Sequence, residues 1–111
     1  MSATITLLYP NDPKENFDLD YYLNSHMPLV AKTWKPFGLK SYQVIRFAPE
    51  AEGSEPPYRI GVWFVWESIE GARKAIAAPE SKPVFADVAN YSSNAPKLVF
   101  GDFIGGWTAE N

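Results

Sequence analysis

The sequence predicts an α+β fold: one antiparallel sheet with two helices packed on the same face. Three observations carry this. Periodic segments follow the order strand, helix, strand, strand, helix, strand; an acidic stretch rich in Pro and Gly, PEAEGSEPP, separates the second and third strands as a hairpin loop would; and no repeat or low-complexity tract competes. The 111 residues suffice for one buried core, so residues 1–111 are read as a single domain.

Residues 3–9, ATITLLY, are mostly β-branched or aromatic and stop at Pro10, which predicts the first strand. After the loop PNDPKEN, Asp18 is the expected N-cap of the first helix, and Phe17 before it can pack on Tyr22 at the fourth helical position. Leu19, Leu23, Met27, Val30 and Trp34 recur in steps of three or four and predict the sheet-facing stripe. This helix should end before Pro36 and Gly38. Residues 39–48, LKSYQVIRFA, read as the second strand and 58–67, YRIGVWFVWE, as the third. Ser68 should cap a shorter helix in which Ile69, Ala72 and Ile76 share a face, with Pro79 as its stop. A further helical turn or two is expected in PVFADVANY, and the last strand in KLVFGDFIGGW, residues 97–107, with its glycines marking a bend or a loosely paired end. The resulting order is the ferredoxin-like βαββαβ arrangement.

The third strand carries Tyr58, Ile60, Val62, Phe64 and Trp66 on one side and Trp63 and Val65 on the other. An antiparallel strand with one wet face should alternate with polar residues. Two apolar faces therefore predict that something besides the helices covers the sheet, and a second copy of the sheet is the economical cover. A homodimer is the expected state.

Composition narrows the function. A net charge of −3 offers no basic footprint for phosphate backbones or anionic lipid, so neither nucleic acid nor membrane is an expected partner. Without cysteine there is no thiol nucleophile or thiolate site, and a single histidine makes a dedicated metal site improbable. No motif encodes a cofactor; GDFIGG lacks the strand-to-helix context and spacing of a phosphate loop. The N-terminus, MSATITLLYP, has no basic region followed by a long apolar run, and no stretch approaches membrane-spanning length, so a cytoplasmic protein is expected.

The chemistry-bearing residues gather in FDLDYYLNSHMPLV, residues 17–30. Pro28 has no N–H for the carbonyl of Asn24 and its ring crowds that carbonyl, so the helix should bend or break near residues 24–28. His26 would then lie beside a local opening, with Tyr22 four residues earlier on the same face. His26 is the one group that titrates near neutrality and is the candidate acid–base residue, with Tyr22 as its partner; its structural alternative is to satisfy carbonyls freed at the kink. Asp18 and Asp20 read as cap and solvated face, and Asp102 as an edge or bulge residue that could instead orient a histidine. Four Trp, six Tyr and seven Phe exceed what a small core consumes, so part of this surface should line a pocket. Trp34, Trp63, Trp66 and Phe85 are the candidate walls of an apolar cavity between sheet and helices.

The Phe17-Asp18 start, the Tyr21-Tyr22 pair and His26-Met27-Pro28-Leu29 together resemble the first-helix motif of the EthD family, named for a protein of ethyl tert-butyl ether degradation. The likeness extends to the Tyr-Pro end of the first strand and the aromatic third strand. It implies a dimeric α+β barrel, and it carries over His26, with Tyr21 and Tyr22 beside it, as characteristic positions. It implies a link to oxidative breakdown of an ether alongside a cytochrome P450 system, while related barrels include monooxygenases, isomerases, cyclases and dehydratases. Three functions remain open: an accessory protein binding a small apolar or aromatic molecule in oxidative catabolism or secondary metabolism; a cofactor-free enzyme using His26 as general acid or base; and a structural dimerisation module.

Overall fold

The computed structural model describes residues 2–110 and has the expected order of elements. Four strands, β1 (Ala3–Pro10), β2 (Leu39–Arg46), β3 (Tyr58–Trp66) and β4 (Lys97–Asp102), form one sheet in the order β2-β3-β1-β4. All neighbours are antiparallel, with Ile5 opposite Phe64 and Phe100, and Leu7 opposite Val62 and Leu98. Period-two alternation puts Ile5, Leu7 and Tyr9 of β1, and Ile60, Val62, Phe64 and Trp66 of β3, on one buried face. The helices cover that face, giving a ferredoxin-like α+β fold.

Helix α1 has three parts: Leu19–Tyr21 in α geometry, a π turn over Tyr22–His26, and Met27–Trp34 in α geometry again. Asp18 caps its start, Oδ1 accepting the Tyr21 N–H at 3.1 Å, and the Phe17 and Tyr22 rings meet edge-on at 5.2 Å. The expected disturbance at Pro28 takes the form of the π turn, in which the Met27 N–H reaches back to the Tyr22 carbonyl. The wider turn shifts the helix's inward face. Tyr22, His26, Met27, Val30 and Trp34 are buried, whereas Leu23, expected in the stripe, faces outward at 42% exposure. Burying a Val or Met side chain contributes about 1.5–3 kcal/mol, so Met27 and Val30 together offset the one backbone bond that Pro28 cannot make. A short 3₁₀ turn, Lys35–Phe37, and Gly38 at φ 103° end the segment.

Helix α2 (Ile69–Ala77) is capped by the Ser68 hydroxyl, which accepts the Gly71 N–H at 3.0 Å, and buries Ala72 and Ala75. After Pro79, the short helix α3 (Lys82–Ala86) runs into a 3₁₀ turn, Asp87–Asn90. The last strand stops at Asp102 instead of reaching Trp107. Asp102 already pairs with Ala3, so β1 has no further length to offer residues beyond it. Phe103, Ile104 and Trp107 consequently lie exposed, the last two at 94% and 86%.

The outer face of the sheet is more mixed than β3 alone predicts. Trp63, Val65 and Val99 share it with Thr4, Thr6, Ser41 and Gln43 from the neighbouring strands, and Phe103 lies against the same patch.

Candidate functional site

A cavity of about 200 Å³ lies between α1, the sheet and α3. Leu7 and Phe64 form its floor and Met27, Val30 and Trp34 the α1 side. Val84, Phe85 and Val88 close it from the α3 region, and Ala95, Pro96 and Leu98 from the approach to β4. Its polar corner is made by Tyr9, Tyr22 and His26. Comparable apolar cavities of roughly 150 Å³ accept benzene, so this one has room for a substituted aromatic ring.

Two anchors shape these walls. The Trp34 indole N–H donates to Ser81 Oγ at 2.8 Å, and Ser81 in turn donates to the Ala75 carbonyl, which fixes the ring between α1 and α2. Glu15 accepts the Ser93 N–H at 2.6 Å and the Asn94 amide at 2.9 Å, together with the Ser92 hydroxyl. Burial works to raise the Glu15 pKa, but these donors outweigh it and hold the carboxyl below its ordinary range. The loop leading to Ala95 and Pro96 is thereby tied to the segment after β1.

His26 is only 4% exposed. Its Nδ1 meets Asp87 Oδ2 at 2.9 Å, and its Nε2 meets the Tyr91 hydroxyl at 3.2 Å. Asp87 Oδ1 accepts the Tyr21 hydroxyl at 2.6 Å and the Asn90 amide at 2.8 Å. Burial opposes the charge on Asp87, yet the bonds from Tyr21, Asn90 and His26 overcome it and lower the carboxyl pKa. For His26, burial dominates over the Asp87 carboxylate and lowers the imidazole below its usual value, so the ring is neutral at pH 7. The Tyr91 hydroxyl lies 2.6 Å from that of Tyr9, whose pKa burial pushes up to about 12. Burial likewise raises Tyr22 and Tyr91, so all three phenols stay protonated.

Tyr22 lies at the edge of this network, its hydroxyl near enough to that of Tyr9 to add to the rise that burial gives its own pKa and to oppose the rise in that of Tyr9. Its ring stacks on His26 with centroids 5.5 Å apart, but its buried hydroxyl makes no well-formed hydrogen bond among the described residues, the Tyr9 hydroxyl being a weak partner at best. A hydroxyl removed from water without a partner is destabilising by about 1–3 kcal/mol, which makes this atom exceptional.

The structure brings together four of the residues singled out from the sequence: Tyr22, His26, Trp34 and Phe85 all line the cavity. It separates three others. Tyr21 lies outside the wall, with its hydroxyl on Asp87 and its pKa raised by that bond. Trp63 points to the opposite face of the sheet and is 52% exposed, while Trp66 is buried in the core beside Trp34 without reaching the cavity. Asp102 is exposed on β4, and the carboxylate that meets the histidine is Asp87. Tyr9, Asp87 and Tyr91 join the site only through the fold. Only the polar positions inside the otherwise apolar PVFADVANY hint at the latter two.

No cluster of His, Cys, Asp or Glu able to hold a metal ion occurs among the described residues. No helix among them is long and apolar enough to cross a membrane.

No protein-family model matches the sequence. An uncharacterized 11.0 kDa protein from the thcB-thcC intergenic region of Rhodococcus erythropolis is 32% identical over 104 residues, which span 90% of this chain and 91% of that protein. Among solved structures, an EthD-like protein from Ralstonia eutropha superposes with a TM-score of 0.81 at 26% identity, covering 91% of this chain and 90% of the other. An ethyl tert-butyl ether degradation (EthD) family protein from Bacillus halodurans gives 0.75 at 23% identity, covering 94% and 100%. A dimeric ferredoxin-like protein from Jannaschia sp. shares the fold at 0.63 and 11% identity, covering 92% and 98%. With the bent Tyr-Tyr/His-Met-Pro helix over a ferredoxin-like sheet, and with EthD-like neighbours superposing along nearly its whole length, the chain is EthD-like in its fold and in its first-helix sequence.

Proposed function

We propose that this protein is a cytoplasmic, single-domain homodimer that binds a small, uncharged, largely apolar or aromatic molecule between α1 and the sheet, as an accessory to oxidative catabolism or secondary metabolism. The observation that carries the reading is the cavity itself: apolar walls with no Lys, Arg, Asp or Glu among them, and Tyr9, Tyr22 and His26 as its few polar residues. A charged ligand would lose its hydration there with no counter-charge on the wall, whereas a neutral one gains contact with Trp34, Phe64 and Phe85. The accessory role rests on the family's name. The exposed Trp63 and Val99 on the outer sheet face support pairing with a second copy, and the ferredoxin-like protein from Jannaschia sp. that shares the fold is itself dimeric.

Native mass spectrometry of freshly purified protein tests both parts, through the dimer mass and any co-purifying compound. Val88→Trp, which fills the cavity from its half-buried rim, should abolish uptake of small aromatic compounds while the far-ultraviolet dichroism is retained. Equal uptake by the variant would refute the assignment of the cavity.

One observation favours a second reading, cofactor-free acid–base chemistry. Asp87 holds His26 so that Nε2 is the basic nitrogen, which takes the Tyr91 O–H in this structure and could accept a proton from an activated carbon once Tyr91 turns aside. If His26→Ala leaves turnover of an enolisable compound unchanged in folded protein, that reading fails.

A further inference from the structure

The walls of the cavity are not equally covered. Those contributed by β1, β3 and α1 are buried, whereas Phe85, Val88, Ala95, Pro96 and Leu98, on the side of α3 and β4, are half-buried or exposed. The way out to solvent therefore lies on that side. Phe85, Val88, Ala95 and Pro96 also line an open groove on the outer surface, which continues over Ala89 and the segment Ser92–Asn94. These four residues form a neck with the cavity on one side and the groove on the other. Glu15 fixes one bank of the groove, since it accepts the Ser92 hydroxyl, the Ser93 N–H and the Asn94 amide. The groove shares no residue with the patch around Trp63, so pairing through the outer sheet face needs none of it.

Size and polarity then define what fits. Cavities of roughly 150 Å³ hold benzene, so a ring leaves roughly 50 Å³ of this cavity, less than two water molecules' share of liquid volume. Anything longer than a short substituent must pass through the neck. The groove beyond it is more polar. Asn94 Nδ2 is committed to Glu15 at 2.9 Å and Asp12 at 3.3 Å, so what Asn94 offers a ligand is its carbonyl oxygen, an acceptor. No Lys or Arg lines the groove among the described residues, and the Glu15 carboxylate stands behind it. A group that donates a hydrogen bond is answered there, while a carboxylate meets an acceptor and a like charge.

We infer that the ligand is an elongated amphiphile: a ring held in the cavity, an apolar chain passing between Phe85 and Ala95, and an uncharged, hydrogen-bond-donating end such as a hydroxyl in the outer groove. The inference rests on the cavity reading above and adds the ligand's shape and chemical class.

The test is calorimetric titration of the intact protein at neutral pH with benzyl alcohol, 3-phenylpropan-1-ol and 5-phenylpentan-1-ol, and with 5-phenylpentanoate as the charged counterpart of the longest. We expect affinity for the alcohols to rise about two- to fourfold with each added methylene, because the neck and groove keep the chain covered. A sealed cavity would instead reject the longer members as overpacked. The pentanoate should bind about tenfold or more weaker than 5-phenylpentan-1-ol. Ala95→Trp, a plug at an exposed position of the neck, should weaken 5-phenylpentan-1-ol about tenfold while changing benzyl alcohol less than about threefold. The wild-type series carries the test should that variant fail to fold. Affinities that fall from benzyl alcohol onward, a pentanoate that binds as tightly as the alcohol, or a plug that weakens long and short members alike would overturn the elongated ligand and leave the cavity reading standing. If none of the four compounds binds, the cavity reading falls, and this inference with it.

Discussion

Removing one oxygen atom should make this protein more stable. Tyr22 is fully buried and its hydroxyl makes no well-formed hydrogen bond among the described residues, so that group contributes a desolvation penalty that the nearby Tyr9 hydroxyl offsets only weakly. The penalty is about 1–3 kcal/mol. Tyr22→Phe deletes it while keeping the ring contacts to Phe17, Tyr9 and His26, whose centroids lie 5.2, 5.7 and 5.5 Å away. The expected gain is about 1–2 kcal/mol, or roughly 4–8 °C in Tm for a domain of this length. Differential scanning calorimetry and urea unfolding at one fixed protein concentration measure it, since self-association would make Tm concentration-dependent. The same chemical change at Tyr91 should have the opposite sign: its hydroxyl meets both His26 and Tyr9, so Tyr91→Phe should destabilise by about 1–2 kcal/mol. A lower Tm for Tyr22→Phe would refute the reasoning, because it would mean that the hydroxyl is bonded within the folded protein and belongs to its scaffold.

Three further outcomes follow from the same geometry. Burial places the folded pKa of His26 below its ordinary 6.5, so as pH falls through that value the unfolded chain binds the proton first and stability declines, by at most about 1.4 kcal/mol per pH unit for one proton. Asp87, with its folded pKa also lowered, stabilises above the ordinary carboxylate range and loses that contribution as pH falls through its folded value, so both groups weaken the fold in acid. Urea midpoints between roughly pH 7.5 and 5.5 should therefore drop for the wild type and stay flat for His26→Gln; a flat wild-type profile would contradict the lowered histidine pKa. Gly71→Ala would ordinarily favour a helix by up to about 1 kcal/mol, but here the new Cβ would press on the Phe37 carbonyl oxygen, so a loss of about 1–3 kcal/mol is expected in urea unfolding. Trp63→Asp should halve the mass seen by light scattering while leaving the fold intact, and an unchanged mass would remove the outer sheet face as the proposed dimer contact.

What could be read from the sequence was local. The Asp18 and Ser68 caps, the Phe17–Tyr22 contact and the hairpin at PEAEGSEPP each depend on residues within a few positions of one another, and each appears as expected. What depended on distant partners was hidden. The end of β4 is set by where β1 begins, and the sequence of β4 carries no sign of that. His26 and Asp87 are 61 positions apart, and nothing in FADVANY distinguishes a carboxylate that holds an imidazole from one that meets water. The outward turn of Leu23 follows from the π turn, since Pro28 predicts a disturbance without specifying which residues it rotates inward. Trp63 is a different case: period-two alternation in β3 already places it opposite Trp66, so only one of the two could face the helices.

The positions of the sacrifices bear on why the site exists. Pro28 interrupts the backbone ladder of α1, and Tyr22 buries a hydroxyl without a well-formed bond; both lie in the helix segment that walls the cavity. Around them the polar groups are paired: Tyr9 to Tyr91, Tyr91 to His26, His26 to Asp87, and Trp34 to Ser81. The other unpaired buried side-chain group among the described residues, the Trp66 indole N–H, lies in the core away from the cavity. A helix serving only to cover a sheet would gain from an alanine in place of Pro28 and a phenylalanine in place of Tyr22, both simple changes that stabilise by known mechanisms. Instead, the π turn sets Tyr22, His26 and Met27 side by side on the cavity wall, and it does so at the point where the helix is weakest. Local instability that coincides with the polar corner of an apolar cavity is the pattern expected where binding, and not packing alone, has shaped the helix.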